Sequence, residues 1–475
     1  MSHLPALARV AAPLGDAIQL SEGPVVVLRS SDGLRDRIEA VVRTGATAPE
    51  PDRSLAHWLI RELATQAGAV PASIHELYLA RGRGETRDDF TAPAMNLRAL
   101  PFFAARVVFR AARARDAGAL LFEIARSEIG YTDQRPSEYA AAVLGAAIAE
   151  GYQGPVFIQG DHFQVSAVKY AEDPEAEMEA VRRLTREALA AGFFNIDIDT
   201  STLVDLARPT TDEQQQLNYR LCAELTGQIR TWEPKGVTVS VGGEIGEVGG
   251  RNSTEDELLA FMEGYNASHA RPGTAEPGLS KISVQTGTSH GGVVLPDGSI
   301  ALVQVDFDTL AKLSRLARER FGLAGAVQHG ASTLPEEAFR RFVDAHACEV
   351  HLATNFQNIF FDRLPTGLRS EMYAHASAHF ASERKPGQTD EQFFYQARKR
   401  TLGPFKRAAW EMEPSARAEI EGAWEVQFNL LFDRLNIEGT RTEVDRTVHP
   451  LAVQPVFAEA LRSAGVAEDV ADLAD

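Results

Sequence analysis

The chain has 475 residues, of which 44% are hydrophobic and 24% are charged. Such a composition is typical of a globular protein that buries a large core. The net charge of −18 argues against a binder of nucleic acid or anionic membranes, which needs a basic face. Two cysteines, Cys222 and Cys348, exclude a disulfide framework and an all-cysteine zinc site. Because the sequence shows neither a signal peptide nor an apolar run of membrane-spanning length, we expect a soluble cytoplasmic protein.

Eight short β-rich runs alternate with helical patterns along the middle of the chain. The runs are Phe90–Asn96, Ala119–Arg126, Pro155–Gly160, Phe193–Asp199, Val237–Gly242, Lys281–Thr286, Ala324–Gln328 and Cys348–Leu352. The helical stretches between them include Pro174–Ala191, Asp212–Arg230, Thr254–Tyr265, Asp306–Phe321 and Pro335–Ala345. This alternation predicts an α/β fold, a parallel sheet closed into a (β/α)8 TIM barrel. An open doubly wound sheet is the alternative, but it would carry a glycine-rich fingerprint after its first strand, and none is present.

Helical segments flank the predicted barrel, which spans residues 86–365. Residues 1–85 are predicted to form a helical N-terminal extension, with segments at Leu34–Thr44, Ser54–Gly68 and Ile74–Arg81. Residues 366–475 are predicted to form a helical C-terminal extension that contains Thr389–Trp410 and Ser415–Leu435. The last segment carries an apolar stripe, which would pack on the barrel or on another subunit. The stripe consists of Trp424, Phe428, Leu431, Phe432 and Leu435.

Three histidines stand where predicted strands end, on the face of a barrel that carries active sites. The third strand runs into Asp161 and His162, the sixth into His290, and the seventh ends at His329. Three convergent imidazoles with an open position would form a catalytic site for Zn²⁺ or another divalent ion. Such an ion polarises a carbonyl as a Lewis acid. The alternative is that each histidine is a hydrogen-bonded structural residue, and their common position on three strands argues against it.

Further polar residues accompany these histidines. Asp161 is a candidate acid/base group, and Asp199 and Glu244 are candidates for a second metal position. Asp199 is also suited to cap the helix that follows it. The candidate substrate-binding residues are Asn96, Ser127, Arg251, Gly291, Gly330, Ser332, His351 and Thr354.

In their order along the chain, these motifs resemble the class II, metal-dependent ketose-bisphosphate aldolases, over roughly Phe90 to Phe361. The shared elements are Asp161-His162, Asp199-Thr200-Ser201, Glu244-Ile245-Gly246 with Gly249-Gly250, Gly287-Thr288-Ser289-His290-Gly291 and His329-Gly330-Ala331-Ser332. The resemblance implies a zinc-dependent aldolase that cleaves or forms a ketose (bis)phosphate of carbohydrate metabolism, such as glycolysis, through a metal-bound enediolate. His162, His290 and His329 would be the zinc ligands, and Asp161 would handle the proton on the aldehyde-derived hydroxyl. The glycine loops and Ser332 would bind phosphate.

Several positions depart from the family pattern. Val293 and Val294 follow Gly292, where the family often has a lysine near the phosphate. His351 replaces the asparagine that touches the substrate at the end of the eighth strand. Arg251 and Asn252 replace acidic residues that often follow the Gly-Gly pair. The changes keep the histidine triad, but they leave open whether the substrate carries a phosphate, a carboxylate or no anion.

Two other functions stay open beside the aldolase. A metal-dependent sugar epimerase on the same barrel would cleave one substrate, rotate a fragment and rejoin it, and His351 favours this alternative. A non-catalytic accessory barrel subunit of a tagatose-bisphosphate aldolase has a similar Gly160-Asp161-His162 segment, but a scaffold has no need of three convergent imidazoles. The expected partners are a small sugar phosphate and, as is common in the family, further copies of the chain in a homo-oligomer. Neither nucleic acid nor a membrane is expected as a partner.

Overall fold

The protein is described by a computed structural model that covers residues 4–21, 24–246, 251–270, 276–287, 295 and 304–458. Its first part contains more than the predicted helices. The elements in chain order are α1 (Leu4–Ala11), β1 (Ile18–Ser21), β2 (Val25–Leu28), α2 (Ser31–Thr47), α3 (Asp52–Gln66), β3 (Ala69–Ala72) and α4 (His75–Gly82). Helices α2, α3 and α4 match the three predicted segments. The sequence analysis did not predict the three strands, of which β1 and β2 form an antiparallel hairpin.

Eight strands alternate with helices in the middle of the chain, as predicted. The strands are β4 (Ala92–Asn96), β5 (Leu121–Ala125), β6 (Gly154–Gln164), β7 (Asn195–Asp199), β8 (Ser240–Glu244), β9 (Lys281–Val284), β10 (Ala326–Gln328) and β11 (Glu349–Leu352). The helices between and after them are α5 (Pro101–Ala114), α6 (Arg126–Thr132), α7 (Pro136–Ala149), α8 (Ala167–Glu172), α9 (Pro174–Ala191), α10 (Thr211–Trp232), α11 (Glu255–His269), α12 (Phe307–Phe321), α13 (Ala338–Asp344) and α14 (Thr354–Arg363).

The eight strands form a closed parallel barrel. Each strand pairs with the next along the chain from β4 to β11, and β11 pairs with β4 to close the ring. Strand β3 joins the sheet at the beginning of β6, where Ala69–Ala72 pairs in parallel with Gly154–Phe157. The (β/α)8 TIM barrel is therefore confirmed, and its strand ends bring chemistry from distant parts of the sequence to one face.

The C-terminal part consists of short helices and one long helix. They are α15 (Thr366–His379), α16 (Asp390–Ala397), α17 (Lys406–Trp410), α18 (Pro414–Arg434) and α19 (Arg441–Thr447). The predicted helical stretch Thr389–Trp410 contains two α-helices, α16 and α17, which are separated by a 3-10 turn and the Gly403-Pro404 pair. The predicted helix Ser415–Leu435 matches α18.

The apolar stripe of α18 packs on the chain's own barrel. Trp424 and Phe428 are buried, the Trp424 indole N–H donates to the Phe356 carbonyl at 3.0 Å, and the rings of Phe356 and Phe428 lie 4.8 Å apart. One continuous hydrophobic cluster includes residues from both extensions and the barrel. The three-part division of the chain and the expected homo-oligomer stay predictions. Among the helices of the described residues, none is long and apolar enough to cross a bilayer.

Candidate metal centre and active site

A bulge in β6 places two functional side chains next to each other. Gly160 pairs with Ile196 and Phe163 with Ile198, so that Asp161 and His162 together face the single residue Asp197. An extra residue of this kind bends the strand and redirects its side chains. His162 takes a positive φ of 41°, an uncommon conformation for a histidine that is typical of functional sites. Both residues therefore lie inside the strand and not in the loop that follows it.

His162 lies among carboxylates from three strands. Its Nδ1 is 3.0 Å from Asp199 Oδ2 and 3.2 Å from Glu244 Oε2, and its Nε2 is 3.9 Å from Asp161 Oδ1. Asp199 is held in turn by the Ser201 hydroxyl at 2.7 Å and by the Gln164 amide at 2.6 Å. These contacts hold the imidazole ring of His162 in one orientation, and each of its two nitrogens faces a carboxylate oxygen.

His329, at the end of β10, completes a group that fits a divalent metal. Its ring centroid is 4.2 Å from that of His162, and its Nδ1 is 3.7 Å from Glu244 Oε1. Asp161, His162 and His329 each offer a ligand atom within 4.8 Å of the others, and His162, Asp199 and Glu244 form a second such group. Imidazole nitrogen with carboxylate oxygen is a donor set that Zn²⁺ and several other divalent ions accept.

His351, on β11, lies on the other side of Asp161. Its Nδ1 is 3.1 Å from Asp161 Oδ1 and 3.0 Å from Glu123 Oε2, and its Nε2 is 2.6 Å from Glu349 Oε1. The ring centroid of His351 is 4.1 Å from that of His329. A continuous row of imidazoles and carboxylates therefore crosses the mouth of the barrel.

A buried lysine lies deeper in the barrel than this row and donates hydrogen bonds to the groups beneath it. Lys281 Nζ donates to Gln159 Oε1 at 2.7 Å, to Asp197 Oδ2 at 3.0 Å and to Glu349 Oε1 at 2.5 Å. Only glycine fits at position 242 next to this lysine, because a Cβ there would lie 2.3 Å from Asp197 Oδ1 and 2.9 Å from Lys281 Cε. The Tyr78 hydroxyl donates to the other oxygen of Glu349.

Burial and crowding perturb the carboxylates. Burial, reinforced by the Asp161 carboxylate, raises the pKa of Glu123 to about 8. Burial and the neighbouring Asp199 raise the pKa of Glu244 to about 7, whereas the contact with His162 acts in the opposite direction. Burial would also raise the pKa of Asp199, but the hydrogen bond and the charge of His162 lower it. Carboxylates of such different acidity in one site are suited to divide the roles of metal ligand and proton carrier.

A cavity of about 560 Å³ opens above the row. Its barrel side includes Asp161, His162, His329 and His351, and its opposite wall comes from the C-terminal extension through Lys385, Tyr395, Gln396, Lys399 and Arg400. Arg98 and Arg126 also line it, although each is paired with a glutamate, Glu128 and Glu177 respectively. Arg400 is likewise paired, with Glu383 of the same wall at 3.2 Å. A concave site with convergent polar groups and a cationic rim suits a small anionic ligand.

Residues 86–411 match the family described as fructose-bisphosphate aldolase class-II. The chain belongs to the class II fructose-bisphosphate aldolase family. This family is characteristically metal-dependent, in accord with the donor groups described above.

The relatives of this class II aldolase family member are distant. The D-tagatose-1,6-bisphosphate aldolase subunit GatY of Klebsiella oxytoca is 29% identical over 154 residues, which are 32% of this chain and 49% of that protein. The chain thus spans about half the length of this curated relative. The fructuronate-tagaturonate epimerase UxaE from Cohnella laeviribosi is 14% identical with a TM-score of 0.53, over 89% of this chain and 90% of that one. A probable tagatose 6 phosphate kinase from Sinorhizobium meliloti 1021 is 17% identical with a TM-score of 0.51, over 79% of this chain and 100% of that one. These two structures share the fold.

The structure brings most of the predicted site residues of this aldolase-family chain to one place. Ser127, Gly330, Ser332 and Thr354 line the cavity with the residues already named. The Ser332 hydroxyl accepts a hydrogen bond from the Ala353 amide at 2.6 Å.

Other predicted residues lie elsewhere. Asn96 is buried at the end of β4, where its amide donates to Glu128. Arg251 is half exposed and pairs with Glu257 at 2.5 Å, away from the cavity lining. His290 and Gly291 fall outside the described residues.

Sequence reasoning missed Glu123, Lys281, Glu349 and the cations of the C-terminal extension. The first three had a recognisable signal, because each is a charged residue inside an apolar strand, where an unpaired charge is rare. The extension residues Lys385, Lys399 and Arg400 had no such signal, since charges on exposed helices are ordinary.

Proposed function

We propose that this protein is a metal-dependent aldolase that cleaves or forms a carbon–carbon bond of an anionic ketose. The observation that carries the proposal is the group of Asp161, His162 and His329 at the mouth of a barrel of this family, with ligand atoms within 4.8 Å of one another. His290, which follows β9 in the sequence and falls outside the described residues, is proposed as a third imidazole ligand, and Zn²⁺ as the ion. Glu244 and Asp199 are proposed to hold the His162 ring and to offer a further metal position.

The chain's own residues divide the remaining work. When bound, a divalent ion polarises the substrate carbonyl as a Lewis acid. A carboxylate oxygen of Asp161 takes the proton from the hydroxyl on the carbon that becomes the aldehyde, and the electron pair of the breaking bond passes to the carbonyl-bearing fragment. Asp161 returns the proton in the synthetic direction. His351 Nδ1 lies 3.1 Å from Asp161 Oδ1 and bounds the space that this carboxylate occupies.

The cationic wall of the cavity supports an anionic substrate. Lys385, Lys399 and Arg400 come from the C-terminal extension and face the barrel mouth across the cavity. We propose that they bind the charged end of the ketose, a phosphate or a carboxylate, together with Ser332 and the loop at Gly330.

An epimerase is the second candidate, and the covered mouth of the barrel favours it. The extension supplies one wall of the cavity, so both fragments of a cleaved substrate are kept near the site until the bond re-forms. The similar fold over 89% of the chain in a protein described as a fructuronate-tagaturonate epimerase makes keturonates useful test substrates.

The test is a substrate panel followed by ¹³C NMR. Metal-reconstituted protein is incubated with ketose monophosphates, ketose bisphosphates and keturonates, and the products are identified without coupling enzymes. Release of a free aldehyde fragment supports the aldolase, and a product with every carbon but one inverted carbinol supports the epimerase. His329→Ala serves as the matched inactive protein. Absence of both products from every substrate at full metal loading would contradict the proposal.

A further inference from the structure

Glu123, Asp161 and His351 form a compact group of metal donors next to the site described above. Each offers a ligand atom within 4.8 Å of the others, and all three side chains are buried. They come from three different strands, β5, β6 and β11. We refer to this group as the Glu123 site; it shares Asp161 with the group that contains His162 and His329.

The imidazole of His351 is oriented as in a metal ligand. Its Nε2 is 2.6 Å from Glu349 Oε1, so this nitrogen can donate its proton to a carboxylate while Nδ1 faces Glu123 and Asp161. A histidine that ligates a metal through one nitrogen usually donates from the other to a carboxylate or a carbonyl. Glu349 is itself immobilised by Lys281 and by Tyr78, so the orientation is built into the barrel.

One oxygen of Glu123 independently indicates a ligand. Glu123 is fully buried, and its Oε2 accepts from Gln159 Nε2 at 3.0 Å. Its Oε1 is also buried but has no hydrogen-bond partner among the described residues. A buried carboxylate oxygen without a partner is costly and calls for an ion or an ordered water beside it.

The balance of charge among the buried side chains around this site also favours a bound cation. Among the described residues, six buried carboxylates share this part of the barrel interior with the single ammonium of Lys281; they are Glu123, Asp161, Asp197, Asp199, Glu244 and Glu349. One ammonium cannot balance six carboxylates, so a divalent cation bound among them would compensate charge that otherwise has to be neutralised by protons on the carboxylates or the imidazoles. Burying uncompensated charge is expensive.

We infer that the Glu123 site binds a second divalent cation, held by Glu123, His351 Nδ1 and Asp161 Oδ1, beside the metal of the His162–His329 group. The two donor groups share Asp161, so the two proposed metal positions are adjacent, as in two-metal centres. The inference adds an ion to the proposed aldolase site and therefore rests on that site as the first position. It also gives a reason for His351 at the position where the family usually has asparagine.

The test counts ions and measures whether they interact. Full-length protein is stripped with a chelator, reloaded with Mn²⁺ and passed through a desalting column, after which manganese per chain is measured by plasma mass spectrometry and by electron paramagnetic resonance. The wild type should hold two ions with an exchange-coupled spectrum. Glu123→Gln and His351→Asn should each hold one ion with the six-line spectrum of isolated Mn²⁺.

Two further variants sharpen the assignment. Glu349→Gln should retain the ligands but weaken the second ion by about 10–100-fold, the usual effect of losing the partner of a ligating histidine. Glu421→Gln, a partly buried carboxylate beside Arg110 and Arg417, is the matched control and should keep two ions.

The outcomes separate this inference from the proposed function. One ion in the wild type, lost in His329→Ala, would overturn the Glu123 site and leave the aldolase proposal standing. Two ions that both persist in Glu123→Gln and His351→Asn would also overturn it. A wild-type protein that binds no ion would overturn both proposals. The wild-type count does not depend on whether any variant folds.

Discussion

Replacing Lys281 with methionine should strongly destabilise the protein. The ammonium is 1% exposed and lies 3.0 Å from Asp197 and 2.5 Å from Glu349, so the substitution leaves two buried carboxylates without their counter-ion. Methionine has nearly the same length, which keeps the packing loss small. Removing one partner of a buried ion pair costs about 3–5 kcal/mol of folding free energy. We expect a loss of that size for Lys281→Met.

The assay is urea unfolding of metal-free protein, followed by circular dichroism and by tryptophan fluorescence. The double variant Lys281→Met/Glu349→Gln removes one of the stranded charges and should recover part of the loss, which a double-mutant cycle measures. Lys235→Met, an exposed lysine, is the control and should change stability by less than about 0.5 kcal/mol. A loss below about 1 kcal/mol for Lys281→Met would refute the argument that this ion pair is structurally required.

Three other predictions address the metal, the proton transfer and the response to pH. His290→Ala and His329→Ala should each lose metal and activity together, measured by plasma mass spectrometry and the NMR assay, and full occupancy in His290→Ala would remove that residue from the ligand set. Asp161→Ala should keep the ion at His162 and His329 but lower kcat by about 10²–10⁴, so near-wild-type turnover would exclude it as the proton carrier. Burial lowers the pKa of His57 to about 4 although the Gly45 carbonyl opposes the shift, so below pH 6.5 the unfolded chain binds a proton that the folded chain refuses. His57 should therefore contribute a loss of about 3 kcal/mol as pH drops from 6.5 to 4, and His57→Gln should remove that contribution from the slope in urea titrations; an unchanged slope would contradict it.

Local patterns in the sequence were sufficient to predict the barrel. Each of the eight β-rich runs became a strand, and α9 has the predicted bounds, Pro174 to Ala191. The boundaries were less accurate, because β6 runs on through Asp161 and His162 to Gln164. A bulge of this kind depends on pairing with β7, which a single strand's pattern does not contain. Strand β3 was missed for the same reason, since Ala69–Ala72 is a strand only through its pairing with β6.

The candidate site was predictable where residues are close in sequence to a strand end. Motif reasoning found Asp161, His162, Glu244, His329 and His351, and the structure brings them together, although their roles stay proposals. It did not find Glu123 or Lys281, because their importance lies in partners more than 60 residues away, such as Glu349. Arg251 was predicted to bind the substrate and has the charge for an anion, but its side chain pairs with the nearby Glu257. The place of Lys385, Lys399 and Arg400 in the cavity wall depends on how the C-terminal extension folds back over the barrel.

The most direct test of the account is carbon–carbon bond cleavage or re-formation measured on the same protein with its metal removed and restored. Activity toward an anionic ketose is recorded by NMR before chelation, after chelation to a counted metal content near zero, and after addition of Zn²⁺ or Mn²⁺. Activity should disappear with the ion and return with it in the wild type, and it should not return in His162→Ala. Activity that survives complete removal of metal would contradict the central claim.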